Sequence, residues 1–346
     1  MNSERIDDVL KELIELLEDP FGARYIKPRV ITLTEFDYFN DETEDKAGEQ
    51  EDDETLVLSD WRIENVSSFS EVDHVVPIIA TDAASVKIGE TDRGIISAIR
   101  ISIVGKSVDE EIKVLKLGPY VVHITEENKD DIYNYFREYF GVPEASPPAL
   151  RKMPDRFRNF LERMAQRSIC AQIENGIVLW DGSLTAGTID TPRKIIDDSL
   201  DVAKRHGNSV VGVSKNSWLR LEDGTRIISL LDNVSAVGYI KVDRWISSSL
   251  RSRIRGNVFA VKFTEDGFTF RVDINPAEGI SSEHVLNLLR SNVSFYNGYP
   301  YLLRLAHINA YFTPNEILAI QSYVADKFNL IFVRPFDVRR HILSPF

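Results

Sequence analysis

The sequence predicts a mixed α/β fold built on one central sheet, and three observations predict it. Short apolar runs such as Ile177-Val178-Leu179-Trp180 and Val210-Val211-Gly212-Val213 end at polar or small residues, as buried strands do. Longer segments with a 3.6-residue apolar period alternate with these runs. Other strand patterns follow one another across short connections, which places antiparallel meanders beside strand–helix–strand units.

Taken in order, Ile6, Val9, Leu10, Leu13, Ile14, Leu16 and Leu17 mark an amphipathic helix over 3–18. Strands follow near 55–60, 76–81, 94–105 and 112–123, with 76–81 and 94–105 pairing across the turn around Gly89–Gly94. A helix covers 126–140 and stops before Gly141. A second, long helix runs from Asp155 to about Asn175 and stops at Gly176. The 177–181 strand precedes a helix that Thr191 caps and Pro192 opens, ending near Gly207. After the strand at 209–214, strand patterns recur at 226–231, 236–241, 257–264 and 267–273, with a helix at 281–291. A helix starts at Pro300. Thr313-Pro314-Asn315-Glu316 is a capping box opening a helix to about Phe328, and 330–333 is a final strand. There are no internal repeats.

Composition narrows the function classes. At 346 residues and 43% apolar, the chain can bury a sizeable core as one elaborated domain or as two. No run reaches the roughly 18 apolar residues of a membrane helix, and Met1-Asn2-Ser3-Glu4 does not begin a signal peptide. The reading is a soluble cytoplasmic protein. Cys170 is the single cysteine, so an internal disulfide and a cysteine zinc site are excluded. No Walker A loop or Gly-x-Ser-x-Gly elbow occurs, which argues against ATP hydrolysis and against a serine hydrolase.

The net charge of −13 is unevenly placed. Asp41 to Glu54 holds nine acidic residues and one lysine, a net of −8, and reads as a solvated mobile loop. The division is therefore 1–54, an N-terminal amphipathic helix and acidic loop, and 55–346, the main domain. Lys241 to Arg255 carries five basic residues against Asp243, with Trp245 among them. That stretch suits a phosphate backbone and equally suits a solvent-facing strand and loop.

The chemistry concentrates where strands end in carboxylates. Ile177–Trp180 runs into Asp181-Gly182-Ser183, and Val75–Ala80 runs into Thr81-Asp82-Ala83-Ala84-Ser85. Two carboxylates on strands of one sheet make a simple scaffold for divalent metal ions, although aspartate also caps ordinary turns. Glu162 shares a helix side with Ala165, Ile169 and Ile173, where a carboxylate is costly unless it pairs with Arg158 or binds a metal. Clustered carboxylates repel and take up protons, and a pair of Mg²⁺ or Mn²⁺ ions resolves this.

An ordered set of short motifs resembles the NurA nuclease family over roughly 75–335. It comprises Asp82, Glu162 on the long helix, Leu179-Trp180-Asp181-Gly182-Ser183-Leu184, Val211-Gly212-Val213-Ser214-Lys215, Gly298-Tyr299-Pro300 and Ala306-His307. The resemblance implies an RNase H-like mixed central sheet flanked by helices, with antiparallel meander additions, over 55–346. It implies a Mn²⁺-dependent DNA nuclease, a single-strand endonuclease and 5′-to-3′ exonuclease of double-strand break resection. It further implies a homodimer working with a HerA-type hexameric ATPase on single strands and duplex ends. The implied metal ligands are Asp82, Glu162, Asp181 and His307, with Mg²⁺ as the alternative ion. Lys215 and Tyr299 join them as catalytic residues, Lys215 neutralising the phosphate or orienting the nucleophile and Tyr299 hydrogen-bonding a phosphate or a metal-bound water. The family commonly carries Asp-Gly-Ser where this chain has Asp82-Ala83-Ala84-Ser85, and alanine restricts a turn there. A non-enzymatic DNA- or translocase-binding adaptor with the same fold is the chief rival reading, and another RNase H-like enzyme, for instance one acting on RNA, is the second.

Overall fold

The computed structural model describes residues 66–143, 146–187, 191–217, 219–221, 223–232 and 237–333, with two short strands at 29–32 and 55–56. The expected helix at 3–18 and the acidic block at 41–54 lie outside the described residues.

The elements run β1 (Arg29–Thr32), β2 (Thr55–Leu56), β3 (Ile78–Glu90), β4 (Gly94–Lys106), β5 (Ile112–Thr125), α1 (Lys129–Phe140), α2 (Met153–Ile169) and β6 (Ile177–Asp181). They continue with α3 (Arg193–Arg205), β7 (Ser209–Ser214), β8 (Arg220–Leu221), β9 (Gly238–Lys241), α4 (Ser248–Arg251), β10 (Asn257–Lys262), β11 (Thr269–Asn275) and α5 (Ser282–Asn292). The last are β12 (Phe295–Tyr296), β13 (Tyr299–Pro300), α6 (Tyr301–Ala310), α7 (Pro314–Phe328) and β14 (Leu330–Val333).

One sheet runs in the order β14-β1-β3-β6-β7-β11-β10-β9, and β4 and β5 extend from β3 as a long meander. In its middle β3, β6 and β7 are parallel, while β11, β10 and β9 continue antiparallel beside them. Helices cover both faces. Leu179, Val211 and Val213 pack toward α5 and α6. Val178, Trp180 and Val210, at the alternate positions, pack toward α2 and α3. Each buried Leu or Ile in these layers contributes about 1.5–3 kcal/mol. This is the mixed α/β architecture that the interleaved patterns predict.

The structure departs from the sequence reading at several boundaries. β3 does not end at Asp82 but continues to Glu90, with Asp82 opposite Ser102 in the β3–β4 ladder. No turn follows Asp82, and Ala83 is an ordinary strand residue packed in the α1–α2 cluster. The long helix stops at Ile169, not near Asn175. Asn208 explains the stop: its side-chain amide donates to the Cys170 and Ile173 carbonyls and accepts from Gly176 N–H. Cys170 is fully buried there, and burial pushes its thiol up to about 12. Pro192, rather than Thr191, occupies the position before α3. The expected strand at 226–231 is a single 3-10 turn at 227–229, because Ile227, Leu230 and Leu231 pack as one cluster over β9 and β10. The α7 capping box and the Gly141 stop of α1 form as expected.

Candidate active site

The site follows from strand register. Thr81 pairs with Trp180 across β3 and β6, and Trp180 pairs with Gly212 on β7. Asp82 and Asp181 are the next residues on their strands, so the two carboxylates stand on neighbouring parallel strands about 5 Å apart. Period-two alternation puts both on the face that carries α6. Lys215 follows the end of β7, and the carboxyl ends of parallel strands are where such sheets bind ligands.

Gly182 makes the turn that frees this corner. It has φ 106°, its N–H donates to Val213 O, and the chain then crosses over β7. Gly212 lets it cross, since a Cβ there would sit 2.6 Å from Gly182 O. The crossing is pinned by a fully buried ion pair on β11. Asp273 Oδ2 accepts from Leu184 N–H (2.9 Å) and from Arg271 (2.9 Å), and Arg271 also reaches Thr185 Oγ1 (3.0 Å). Sequence reading missed this pair. Its signal is two opposite charges two residues apart within an apolar strand, which places them on one face.

All six expected residues come together. His307 on α6 meets Asp82 with Nδ1 at 2.8 Å from Oδ2, and Ala83 N–H donates to the other oxygen of Asp82 (2.9 Å). Lys215 Nζ donates to Asp181 Oδ2 (3.0 Å) and lies 5.6 Å from the centre of the Tyr299 ring. Tyr299 stands beside the same carboxylate, its hydroxyl buried, and pulls it down slightly. Glu162 reaches the group from α2, where Arg158 donates to Oε2 (3.3 Å) and Gln166 to Oε1 (3.2 Å). Arg158 also contacts the Ala83 carbonyl (3.5 Å), so it links Glu162 to β3.

Burial makes the cluster's carboxylates costly to ionise. Burial raises the Glu162 carboxyl to about 7 against the pull of Arg158 and Arg163, and the negative charges of Asp82 and Asp181 add to the rise. Burial also raises Asp181 despite the Lys215 ammonium, with Asp82 again contributing. The hydrogen bond to Asp82 raises the His307 imidazole, against its partial burial. Among the described residues, no three His, Cys, Asp or Glu side chains close into a metal cage as they stand. The carboxylates instead turn to Lys215, His307 and Arg158. Three largely buried oxygen-donor side chains converging on one corner suit a hard divalent cation.

A cavity of about 440 Å³ adjoins this corner, sharing Lys215, Tyr299 and His307 with it. The basic stretch 241–255 is not a free cationic surface. Lys241 pairs with Glu283, Arg251 with Asp243 and Arg255 with Asp197, while Arg244 lies over the Trp245 ring at 4.4 Å. Exposed pairs of this kind mainly neutralise one another.

The family described as the NurA domain matches residues 76–311. No curated protein sequence matches. Among solved structures, the NurA nuclease from Sulfolobus solfataricus has 17% identity and a TM-score of 0.48, covering 77% of this chain and 88% of that one. A NurA bound to dAMP and manganese has 10% identity and a TM-score of 0.45, covering 94% and 97%. A Ciona intestinalis endonuclease V in complex with inosine-containing DNA has 13% identity and a TM-score of 0.38, covering 74% and 92%.

Proposed function

This chain belongs to the NurA family, a family of nucleases, and from that premise we propose that it is a metal-dependent DNA nuclease, cutting phosphodiesters at the Asp82–Glu162–Asp181 corner. The observation that supports the reading is the convergence of three carboxylates from β3, α2 and β6 with His307, Lys215 and Tyr299. Asp82, Glu162, Asp181 and His307 would hold Mn²⁺, with Mg²⁺ as the alternative. Bound there, the metal supplies an activated water and a charge opposite the leaving oxygen.

The chain's own residues do the rest. Lys215 sits at the mouth of the corner, where its ammonium offsets phosphate charge while its bond to Asp181 fixes its position. Tyr299, beside the same carboxylate, would hydrogen-bond a phosphate or water that enters the corner. The Asp82 contact occupies His307 Nδ1 and leaves Nε2 as the other ring nitrogen, with the ring lining the cavity. With a cation held there, Asp82 would share its charge between that ion and His307.

The reading extends to a single-strand endonuclease and 5′-to-3′ exonuclease acting in end resection. It is a homodimer fed by a HerA-type hexameric ATPase. Among the described residues no helix is long and apolar enough to cross a membrane, and the reading places the work in the cytoplasm. The adaptor reading rests on a turn that alanine would restrict, and β3 runs straight through Ala83.

The test is cleavage of single-stranded DNA with and without Mn²⁺, alongside Asp181→Asn and Glu162→Gln. Metal-dependent cleavage lost in both variants, with DNA binding kept, is the expected result. Binding without cleavage by the parent protein would favour the adaptor.

A further inference from the structure

We propose that the cavity beside the carboxylates is a stacking subsite for one unpaired nucleobase, walled by Phe268 and Tyr296 and capped by Arg304. The proposal deepens the nuclease reading, since it assigns where the base next to the scissile phosphate rests.

Two large aromatic side chains are exposed in the same recess: Phe268 at 66% and Tyr296 at 52%. The neighbouring aromatics behave differently. Phe270 and Tyr299 pack against each other at 5.5 Å between centroids and belong to the core layer. Phe268 and Tyr296 leave ring surface to solvent, an arrangement that favours contact with a flat apolar ligand.

Backbone contact, not ring packing, holds the two walls in place. Phe268 N–H donates to Asn297 O (3.1 Å). Gly267 and Gly298 approach so closely that a Cβ on Gly267 would lie 2.8 Å from Gly298 Cα, and Gly298 has φ 83°. The subsite is therefore formed before any ligand arrives. Arg304 lies over the Tyr296 ring at 4.1 Å, which braces that ring and adds a planar cation at the rim.

The charge layout orients an occupant. Lys215 and His307 lie at the end shared with the carboxylate corner, where a phosphate would sit. Asp232 lines the cavity, and its Oδ1 accepts from Thr269 Oγ1 (2.8 Å). A carboxylate in that wall repels phosphate and can accept from a base N–H. About 440 Å³ accommodates a single nucleotide, and a base that lays its face on these rings must be unstacked from its own strand, which favours a single strand.

The experiment uses the full chain in EDTA, so that no strand is cut. It measures binding of a short single-stranded DNA in which 2-aminopurine, or an abasic residue, is moved along the strand. Stacking predicts quenched fluorescence at one position. It also predicts about tenfold weaker binding for Phe268→Ala and for Tyr296→Ala, and for the strand that is abasic there. Phe268→Tyr restores binding, and the abasic defect disappears in the Phe268→Ala, Tyr296→Ala double variant. Both rings are exposed, and thermal unfolding confirms that the variants remain folded. If abasic and intact strands bind the parent protein equally, or if the alanine variants bind as the parent does, the subsite is overturned, whatever the cleavage assay shows. If the stacking signals hold while no metal supports cleavage, the subsite stands and the nuclease reading falls.

Discussion

Two groups of buried charge lie one strand apart in this sheet and are built on opposite principles. On β11, Arg271 and Asp273 are both 0% exposed and neutralise each other in a two-point contact, with Leu184 N–H and Thr185 using further bonding capacity. On β3, α2 and β6, three carboxylates converge with counter-charges that are only partly committed: Lys215 is 41% exposed and His307 35% exposed at the side chain. The first group is complete within the fold and serves the turn after Asp181. The second holds carboxylates that burial, and to a lesser degree one another, make costly to ionise, as the raised Glu162 and Asp181 carboxyls show, and a bound cation would relieve that cost. Structural charge here is balanced from within one strand, whereas the site draws its charges from several elements.

Breaking the complete pair should have the largest effect on stability. Arg271→Met strands a buried carboxylate and should lower unfolding free energy by about 3–5 kcal/mol, measured by urea denaturation. Asp181→Asn should behave in reverse. It removes one of three repelling carboxylates, so stability should hold or rise, while cleavage should fall about a thousandfold. A stability loss as large as that of Arg271→Met would erase the proposed contrast.

Mn²⁺ offers a third test that needs no turnover. At a hundred times its dissociation constant it should stabilise the parent fold by about 2–3 kcal/mol. The gain should shrink in Glu162→Gln and Asp181→Asn and persist in a surface variant such as Lys241→Gln. An unchanged melting temperature across Mn²⁺ concentrations would remove the metal from the corner.

The smallest effect concerns how α6 is anchored. Arg100 on β4 donates to Tyr311 O (3.0 Å) and to Glu316 (2.8 Å) and lies over the Phe312 ring at 4.5 Å, tying the α6–α7 corner to the sheet. Burial tends to raise the Glu316 carboxyl, but hydrogen bonds from Thr313 and Arg100 outweigh it and bring it down to about 2. A depressed carboxyl stabilises above its ordinary range and loses that contribution as pH falls from 4.5 toward about 2. Because Glu316 is 41% exposed at the side chain, Glu316→Gln should cost at most about 1 kcal/mol at pH 7. The gap to the parent should close near pH 2 in a denaturation series. A constant gap would show that the link to Arg100 is not ionic.

Much of the fold was legible because its signals are local. Gly141 stops α1, Thr313 and Glu316 cap α7, and Val210–Val213 forms a buried strand, each decided by neighbouring residues. Boundaries failed where a distant residue intervened. Asn208 ends α2 from across the fold, and pairing with β4 carries β3 eight residues past Asp82. The carboxylates were visible as strand-end and helix-face anomalies, and the ordered motifs named their companions. Phe268, Tyr296 and Arg304 were not visible, because two short turns become one cavity only when Gly267 meets Gly298.

The sequence by itself determined most strand and helix types and the mixed α/β class, since apolar period and caps act over a few positions, and the resemblance carried by its ordered motifs pointed to the six residues. The tertiary structure alone decided which charges are compensated and which are left over. Strand register sets Asp82 beside Asp181, and helices on opposite faces bring Glu162 and His307 to the same corner. Charge balance depends on distances between residues far apart in the chain, and only the packed sheet fixes those distances.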